Sequence, residues 1–452
     1  MGSVYTPEEA RAELKRILEP ELLKCSKCGS CTSVCPIYAE KLSEAYCSRG
    51  KLQLAKDVAA GVRDVNERAA EIFNNCLVCL ACTKNCMSGV RMDLVAPAVR
   101  AVLVSEGLEA MGKRLLYRSV LAKSGAMRRV MRMGRLVQPL AFRQIPQSSG
   151  LRLRFPMGGL AKDQPVPRVA ARPFRDRFSE LVPAKSSRRG EVVYFTGCSA
   201  NYLFPTIGES VLHVLNTLGF DVRIPAGQGC CGTPLEIGGE KAAMVELARK
   251  NVAVLSATSG PIVTACGSGG LMLREGYPAC LEGEEREKAL AVAARVVDFS
   301  VFVFSACSDA VFEPWLLRRA SGTATYHDPC HLARGMGVRK EPRHLARIMA
   351  ESFVEMADAD RCCGSGGLYG ATHWPESRRI LQRKVSAIAA SKASLVLTGC
   401  PSCLLQLEAG LRNNGYAMPV LHTAELAAWC MGYMPQSREE AARFAALEAL
   451  KA

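Results

Sequence analysis

Two matched strings of cysteine carry the most chemistry in their spacing: Cys25-x2-Cys28-x2-Cys31-x3-Cys35-Pro36 and Cys76-x2-Cys79-x2-Cys82-x3-Cys86. A C-x2-C-x2-C-x3-C run is the spacing that holds a [4Fe-4S] cubane, and where two runs occur together the fourth cysteine of each ligates the other cluster. The spacing therefore assigns Cys25, Cys28, Cys31 and Cys86 to one cubane and Cys76, Cys79, Cys82 and Cys35 to a second. The chemistry expected is electron transfer. Structural zinc also accepts four thiolates, and one C-x2-C pair would leave the two metals level; two complete runs favour iron–sulfur.

A second group of cysteines belongs to an internal duplication. EVVYFTGC ends a predicted strand at Cys198 and TATYHDPC ends another at Cys330; each is followed by 31 residues and then a triplet, Cys230-Cys231-Gly232 or Cys362-Cys363-Gly364. A third strand-like run delivers PIVTAC to Cys266 and SLVLTGC to Cys400. Cys403 closes the second set, whereas Gly269 stands at the matching place in the first. The glycine after each vicinal pair permits an unusual turn and a close backbone approach to a ligand. A zinc site asks for four ligands, so the five cysteines of the second repeat are one too many.

Several other residues invite a role. His327, Asp328 and His331 flank Cys330; they could transfer protons near neutral pH or orient a cysteine ligand by hydrogen bonding. His422 reads as a packing or capping residue. Cys47, Cys280, Cys307 and Cys430 fall outside the matched sets and read as core or incidental thiols, with Cys307, after FVFSA at a predicted strand end, a reserve ligand. Met127, Met131 and Met133 have no companion ligands and read as packing residues.

The paired C-x31-CCG elements resemble the cysteine-rich domains of heterodisulfide reductases, and the whole arrangement resembles the iron–sulfur subunit of bacterial glycolate oxidase or D-lactate dehydrogenase complexes. The resemblance covers the ferredoxin region and both cysteine-rich repeats. It implies a non-cubane [4Fe-4S] cluster on Cys330, Cys362, Cys363, Cys400 and Cys403. The first repeat, with Cys198, Cys230, Cys231 and Cys266 but no closing cysteine, departs from that pattern; a different iron–sulfur cluster, zinc and an empty site all stay open there. The resemblance further implies an electron-transfer subunit of a 2-hydroxy-acid (glycolate or D-lactate) dehydrogenase complex. FAD and substrate would then sit on a flavoprotein dehydrogenase partner, and electrons would leave toward a quinone or respiratory acceptor through an additional redox subunit or a quinone-linked membrane component. Two other readings remain: a heterodisulfide-reductase-like catalytic subunit in which His327 or His331 manages protons, and an iron–sulfur adaptor of a larger ferredoxin- or quinone-linked oxidoreductase. The glycine-rich stretches after Cys266 and Cys363 lack a complete dinucleotide fingerprint, and no phosphate-binding P-loop is evident.

The elements that must position these residues follow from pattern. At 452 residues the chain exceeds what one core usually serves. Residues 1–100 read as a mainly helical two-cluster ferredoxin domain: Thr6-Pro7-Glu8-Glu9 caps a helix through ARAELKRILEPELL, helices follow over 49–60 and 93–104, and β-branched alternation is scarce. Residues 101–190 form a basic helical segment and connector. Residues 191–320 and 321–452 read as two duplicated α/β cysteine-rich domains, with helices over 207–218, 240–256 and 344–356 and ligands gathered at strand ends. The net charge is +15, and residues 101–190 hold 19 Lys/Arg against five Asp/Glu. Such a segment suits an acidic partner face or an anionic membrane, or it is a solvated linker; with no helix-turn-helix, zinc finger or aromatic platform, nucleic acid is not expected. The opening residues contain no apolar signal and a chain this long needs no disulfide staples, so its 21 cysteines point to the reducing cytoplasm. No stretch offers about 20 apolar residues in a row, so any association with the cytoplasmic membrane is expected to be peripheral or through a partner.

Overall fold

The computed structural model describes residues 5–61, 66–108, 114–144, 150–155, 161, 163–307 and 312–435, with 441, 444 and 447. Residues 145–149 of the predicted connector lie outside them. The chain divides into two compact units, neither continuous in sequence: Met1–Met127 with Gly232–Ala248 and Gly364–Ile380, and Arg128–Cys231 with Arg249–Cys363 and Leu381–Ala452. The second unit is interrupted twice, each time directly after a vicinal cysteine pair. Within the first unit the inserted stretches are held by Arg100 donating to the Ile237 carbonyl at 2.7 Å, a Lys41–Glu376 ion pair at 2.9 Å and Tyr369 donating to Asn75 at 3.2 Å.

The first unit is helical, as its sequence predicts, with no strand among its described residues. Helix α1 (Pro7–Lys24) starts with a capping box in which Thr6 Oγ1 accepts from Glu9 N and the Glu9 carboxylate accepts from Thr6 N; such a pair satisfies two otherwise orphaned amide donors. Helices α2 (Ser48–Ala60), α3 (Glu67–Asn74) and α4 (Met92–Ser105) follow. Leu14, Leu18, Leu52, Val58, Phe73, Val95, Val99 and Val102 form one buried core, and Cys25, Cys76, Cys82 and Cys86 pack against it. Each buried aliphatic contributes about 1.5–3 kcal/mol, so the core that folds the unit also fixes the walls around the cysteines.

The second unit contains the duplication in three dimensions. Helix α5 (Ser124–Ala141) leads into a small antiparallel sheet of Phe142–Gln144, Gly150–Leu153 and Val166–Pro167 that the sequence did not foreshadow. The first repeat places β1 (Gly190–Phe195), β2 (Phe220–Arg223), β3 (Ile262–Thr264) and β4 (Val296–Asp298) in the order β2-β1-β3-β4, with Leu181–Val182 antiparallel on the β2 edge. The second repeat places β5 (Ala320–His327), β6 (Ala350–Phe353), β7 (Leu395–Thr398) and β8 (Val420–His422) in the order β6-β5-β7-β8. Apart from that edge strand all pairs in the two repeat sheets are parallel, so the carboxyl ends of each sheet's strands lie together, which is where open α/β sheets bind ligands.

Two predicted elements are corrected. FVFSA is not a strand but part of helix α6 (Phe299–Ala306), whose amino end is capped by Asp298 accepting from Ser300 N at 2.8 Å; a short apolar run cannot be told from a buried strand by periodicity alone. The helix expected over 344–356 is Lys340–Met349, after which the chain enters β6 and pairs with β5.

Candidate metal centres

In the helical unit, Cys35, Cys76, Cys79 and Cys82 line one cavity, with Pro36, Lys51 and Met92 among its other walls. One wall thus comes from the first cysteine run and three from the second. Burial, with Cys76, Cys79 and Cys35 nearby as like charges, pushes the Cys82 thiol well up; burial likewise raises Cys35 to about 11, against the opposing pull of Lys51. Four sulfurs that repel one another as thiolates are a site that a metal cation stabilises, and soft thiolate sets suit iron–sulfur clusters and zinc. The two runs are tied by Asn85 Nδ2 donating to the Ser30 carbonyl at 3.0 Å, which holds the segments of Cys31 and Cys86 side by side. Cys25, Cys31 and Cys86 are partly buried and Cys28 is exposed. Cys47, outside both runs, is fully buried at the start of α2, and a hydrogen bond shared with Cys31 pulls Cys47 down to about 6 and pushes Cys31 up.

In the first repeat, Cys198 follows β1 and its Sγ lies 3.8 Å from that of Cys230. Hydrogen bonds with Cys198 and Cys231 push Cys230 up, while Cys198 is drawn down. Asn251 fixes the vicinal pair from behind: its side chain donates to the Cys230 carbonyl and accepts from Gly229 N, both at 2.8 Å. Gln228 clips the same loop to β1 by accepting from Thr196 N at 2.7 Å and donating to the Tyr194 carbonyl at 3.1 Å. Gly232 and Gly364, which close the two triplets, both take φ +87°. A Cβ at Gly232 would collide with Met244 Sδ, and one at Gly364 would meet the Ser377 carbonyl at 2.6 Å, so only glycine makes these turns.

The second repeat is richer. His327, Cys363 and Cys403 are buried with their ligand atoms within 4.8 Å of one another. Cys403 hydrogen-bonds Cys363 and Cys400, which raises Cys403, and Cys400 is drawn well down by bonds from Cys266 and Cys403. Cys266 is pushed up by the same bond. The third-strand cysteines of the two repeats therefore meet, and a row of sulfur runs from one site into the other. Lys384, buried and donating to the Ala359 carbonyl at 3.3 Å, is lowered to about 8 by burial against the pull of Cys363 and Cys362. Burial, then Lys384, pushes His327 down to about 3.

The other candidates divide. Asp328 is clamped by Arg343 through two bonds of 2.8 Å, the arrangement of a structural carboxylate. His331 Nδ1 lies 2.9 Å from Ser268 Oγ, across the junction of the repeats. His422 caps the helix Thr423–Cys430 by accepting from Ala424 N at 3.1 Å, the capping role expected of it. Cys307 sits at the carboxyl end of α6 with Arg189 3.5 Å from its sulfur, and Cys280 and Cys430 bond to main-chain carbonyls. Met127 is buried as expected, but Met133 is exposed. Cys47, Asn251, Lys384 and Arg343 carried no sequence signal, because each acts on a cysteine segment reached only through folding.

A 4Fe-4S dicluster domain matches residues 21–90, and a cysteine-rich domain matches twice, over 192–274 and 324–408. The chain is 31% identical to the probable glycolate oxidase iron–sulfur subunit of Bacillus subtilis over 91% of its own length and 94% of the relative's. It is 28% identical to a fumarate reductase (CoM/CoB) subunit from Methanothermobacter marburgensis, covering 94% and 76% of the two chains. Lactate utilization protein A 1 of Bacillus anthracis is 29% identical over 53% of this chain and 98% of that one.

Proposed function

Because the chain belongs to the family of the glycolate oxidase iron–sulfur subunit, we propose that it is the electron-transfer subunit of a FAD-linked 2-hydroxy-acid dehydrogenase complex. It receives electrons from a flavoprotein that oxidises glycolate or D-lactate and passes them toward a quinone or respiratory acceptor. The observation that carries the reading is the cavity walled by Cys35 together with Cys76, Cys79 and Cys82, the crossed set that two interleaved cubanes require. Cys25, Cys28, Cys31 and Cys86 are the complementary set. Cys330, Cys362, Cys363, Cys400 and Cys403 form a further cluster site, and Cys198, Cys230, Cys231 and Cys266 a fourth. Bound clusters supply one-electron redox centres. The protein's own part is to bury the thiolates, to set Lys51 and Lys384 beside them as compensating charges, and to hold the vicinal pairs rigid through Asn251 and the turn glycines.

A peripheral seat on the membrane is supported by α5. Val130, Met133, Leu136, Val137 and Leu140 are 42% to 74% exposed and recur at helical spacing on one side, with Arg129 and Arg132 exposed beside them. Arg128 and Gln138 secure the other side, to Asp176 at 2.8 Å and to the Pro167 carbonyl at 3.1 Å. A basic helix with an unburied apolar stripe fits the interface of an anionic bilayer. No described helix is long and apolar enough to cross a membrane.

The test is anaerobic reconstitution with the flavoprotein. Glycolate or D-lactate is expected to bleach the visible iron–sulfur absorbance only when the flavoprotein is present. Bleaching by the hydroxy acid with this chain alone would overturn the division of labour. Reoxidation of the reduced isolated chain by a disulfide would favour the heterodisulfide-reductase-like reading, to which the row of sulfurs through Cys266 and Cys400 lends itself.

A further inference from the structure

We propose that His327 is a nitrogen ligand of the metal centre in the second repeat, bound beside Cys363 and Cys403. The inference rests on the reading that this repeat holds iron, and three observations carry it beyond that reading.

The first is distance. The ligand atoms of His327, Cys363 and Cys403 lie within 4.8 Å of one another. In tetrahedral coordination with metal–sulfur bonds of about 2.3 Å and metal–nitrogen bonds of about 2.0–2.1 Å, such atoms are about 3.5–3.8 Å apart, so the trio closes on a metal with side-chain movements of about 1 Å. The second is the state of the imidazole. His327 is 1% exposed and neither ring nitrogen has a hydrogen-bond partner among the described residues. A buried polar group without a partner is costly, and bonding to a metal removes one of the two orphans. The ring has little freedom to turn away, because Asp328, the next residue, is clamped by Arg343.

The third observation comes from the duplication. His327 and Phe195 hold the same place, each three residues before the first cysteine of its repeat; His327 pairs with Thr398 as Phe195 pairs with Thr264. Cys403 and Gly269 also hold the same place, three residues after Cys400 and Cys266. Crowding does not exclude a side chain from the first repeat: a Cβ at Gly269 would lie 3.7 Å from Cys266 Cβ and 3.8 Å from Cys231 Cβ, ordinary contact distances. Thus the second repeat gains two ligand-type residues together, and folding brings both to one point. A ring that merely filled space would not need to change from phenyl to imidazole where the extra thiol appears.

The test uses the full chain, prepared without oxygen, with 57Fe and 15N-histidine. In its paramagnetic state the second-repeat centre is expected to show the electron–nuclear coupling of a directly bound histidine nitrogen, abolished in His327→Gln and in His327→Cys, while the iron of the two amino-terminal sites is retained. The cysteine variant guards against a folding defect, since it offers the metal another donor. Iron in the second repeat without a histidine coupling, or a coupling that survives in His327→Gln, would overturn the ligand assignment alone. The iron difference between the parent and Cys362→Ser reports the underlying reading separately; no difference would overturn both.

Discussion

Arg100 offers a severe test of how the helical unit holds its second cysteine run. Its guanidinium is 4% exposed and reaches from α4 to three main-chain carbonyls: Phe73 at 3.2 Å, Cys76 at 2.6 Å and Ile237 at 2.7 Å. It therefore joins the end of α3, the first cysteine of the run and the stretch inserted after the first triplet. Arg100→Met keeps most of the apolar stem and removes only the donors. One buried acceptor, the Phe73 carbonyl, and two partly buried ones, of Cys76 and Ile237, then lose a charged donor, at up to about 1–3 kcal/mol for each left unsatisfied. Partial hydration lowers the sum, which leaves about 3–5 kcal/mol. Anoxic urea unfolding followed by circular dichroism reads the stability, and iron release reads the Cys76 segment. Iron is expected to leave the variant at lower urea than the parent. A loss below about 1 kcal/mol with unchanged iron retention would show that the guanidinium does not position this run.

Asp298 should make stability depend on pH: burial raises its carboxyl to about 7 from 3.8, so between those values the folded state keeps a proton that the unfolded chain releases. This stabilisation is complete below pH 4 and lost as pH rises through 7, a loss of about 4 kcal/mol; Asp298→Asn, which can still cap α6, is expected to flatten that slope in urea unfolding at pH 5 and 8, and an unchanged slope would discard the assignment. On α5, replacing exposed Leu136 and Leu140 by glutamate removes about 1.5–3 kcal/mol of apolar burial per site and adds repulsion from anionic lipid. Sedimentation with phosphatidylglycerol vesicles is expected to lose the variant at least about 100-fold in affinity, and equal binding of parent and variant, or of the parent to neutral vesicles, would rule out the basic amphipathic seat.

Much of this protein is written in local sequence. The cysteine runs, the Thr6/Glu9 capping box and the duplication with its CCG turns depend on residues a few places apart, and covalent spacing alone constrains them. Repetition made the two strand-end cysteines and the vicinal pair of each repeat legible, and Gly269 against Cys403 showed that the copies differ. FVFSA failed because five apolar residues fit either period, and Asp298 capping α6 decided the matter. The contacts of greatest chemical consequence were not local. That Cys266 meets Cys400, that Cys47 lies against Cys31, that Arg343 immobilises Asp328 and that His327 lies near Cys363 and Cys403 follow from which strand ends and helix faces pack together. Spacing along the chain fixes which residues can be ligands of one turn; only the closing of long loops around a shared core decides which of those turns face each other.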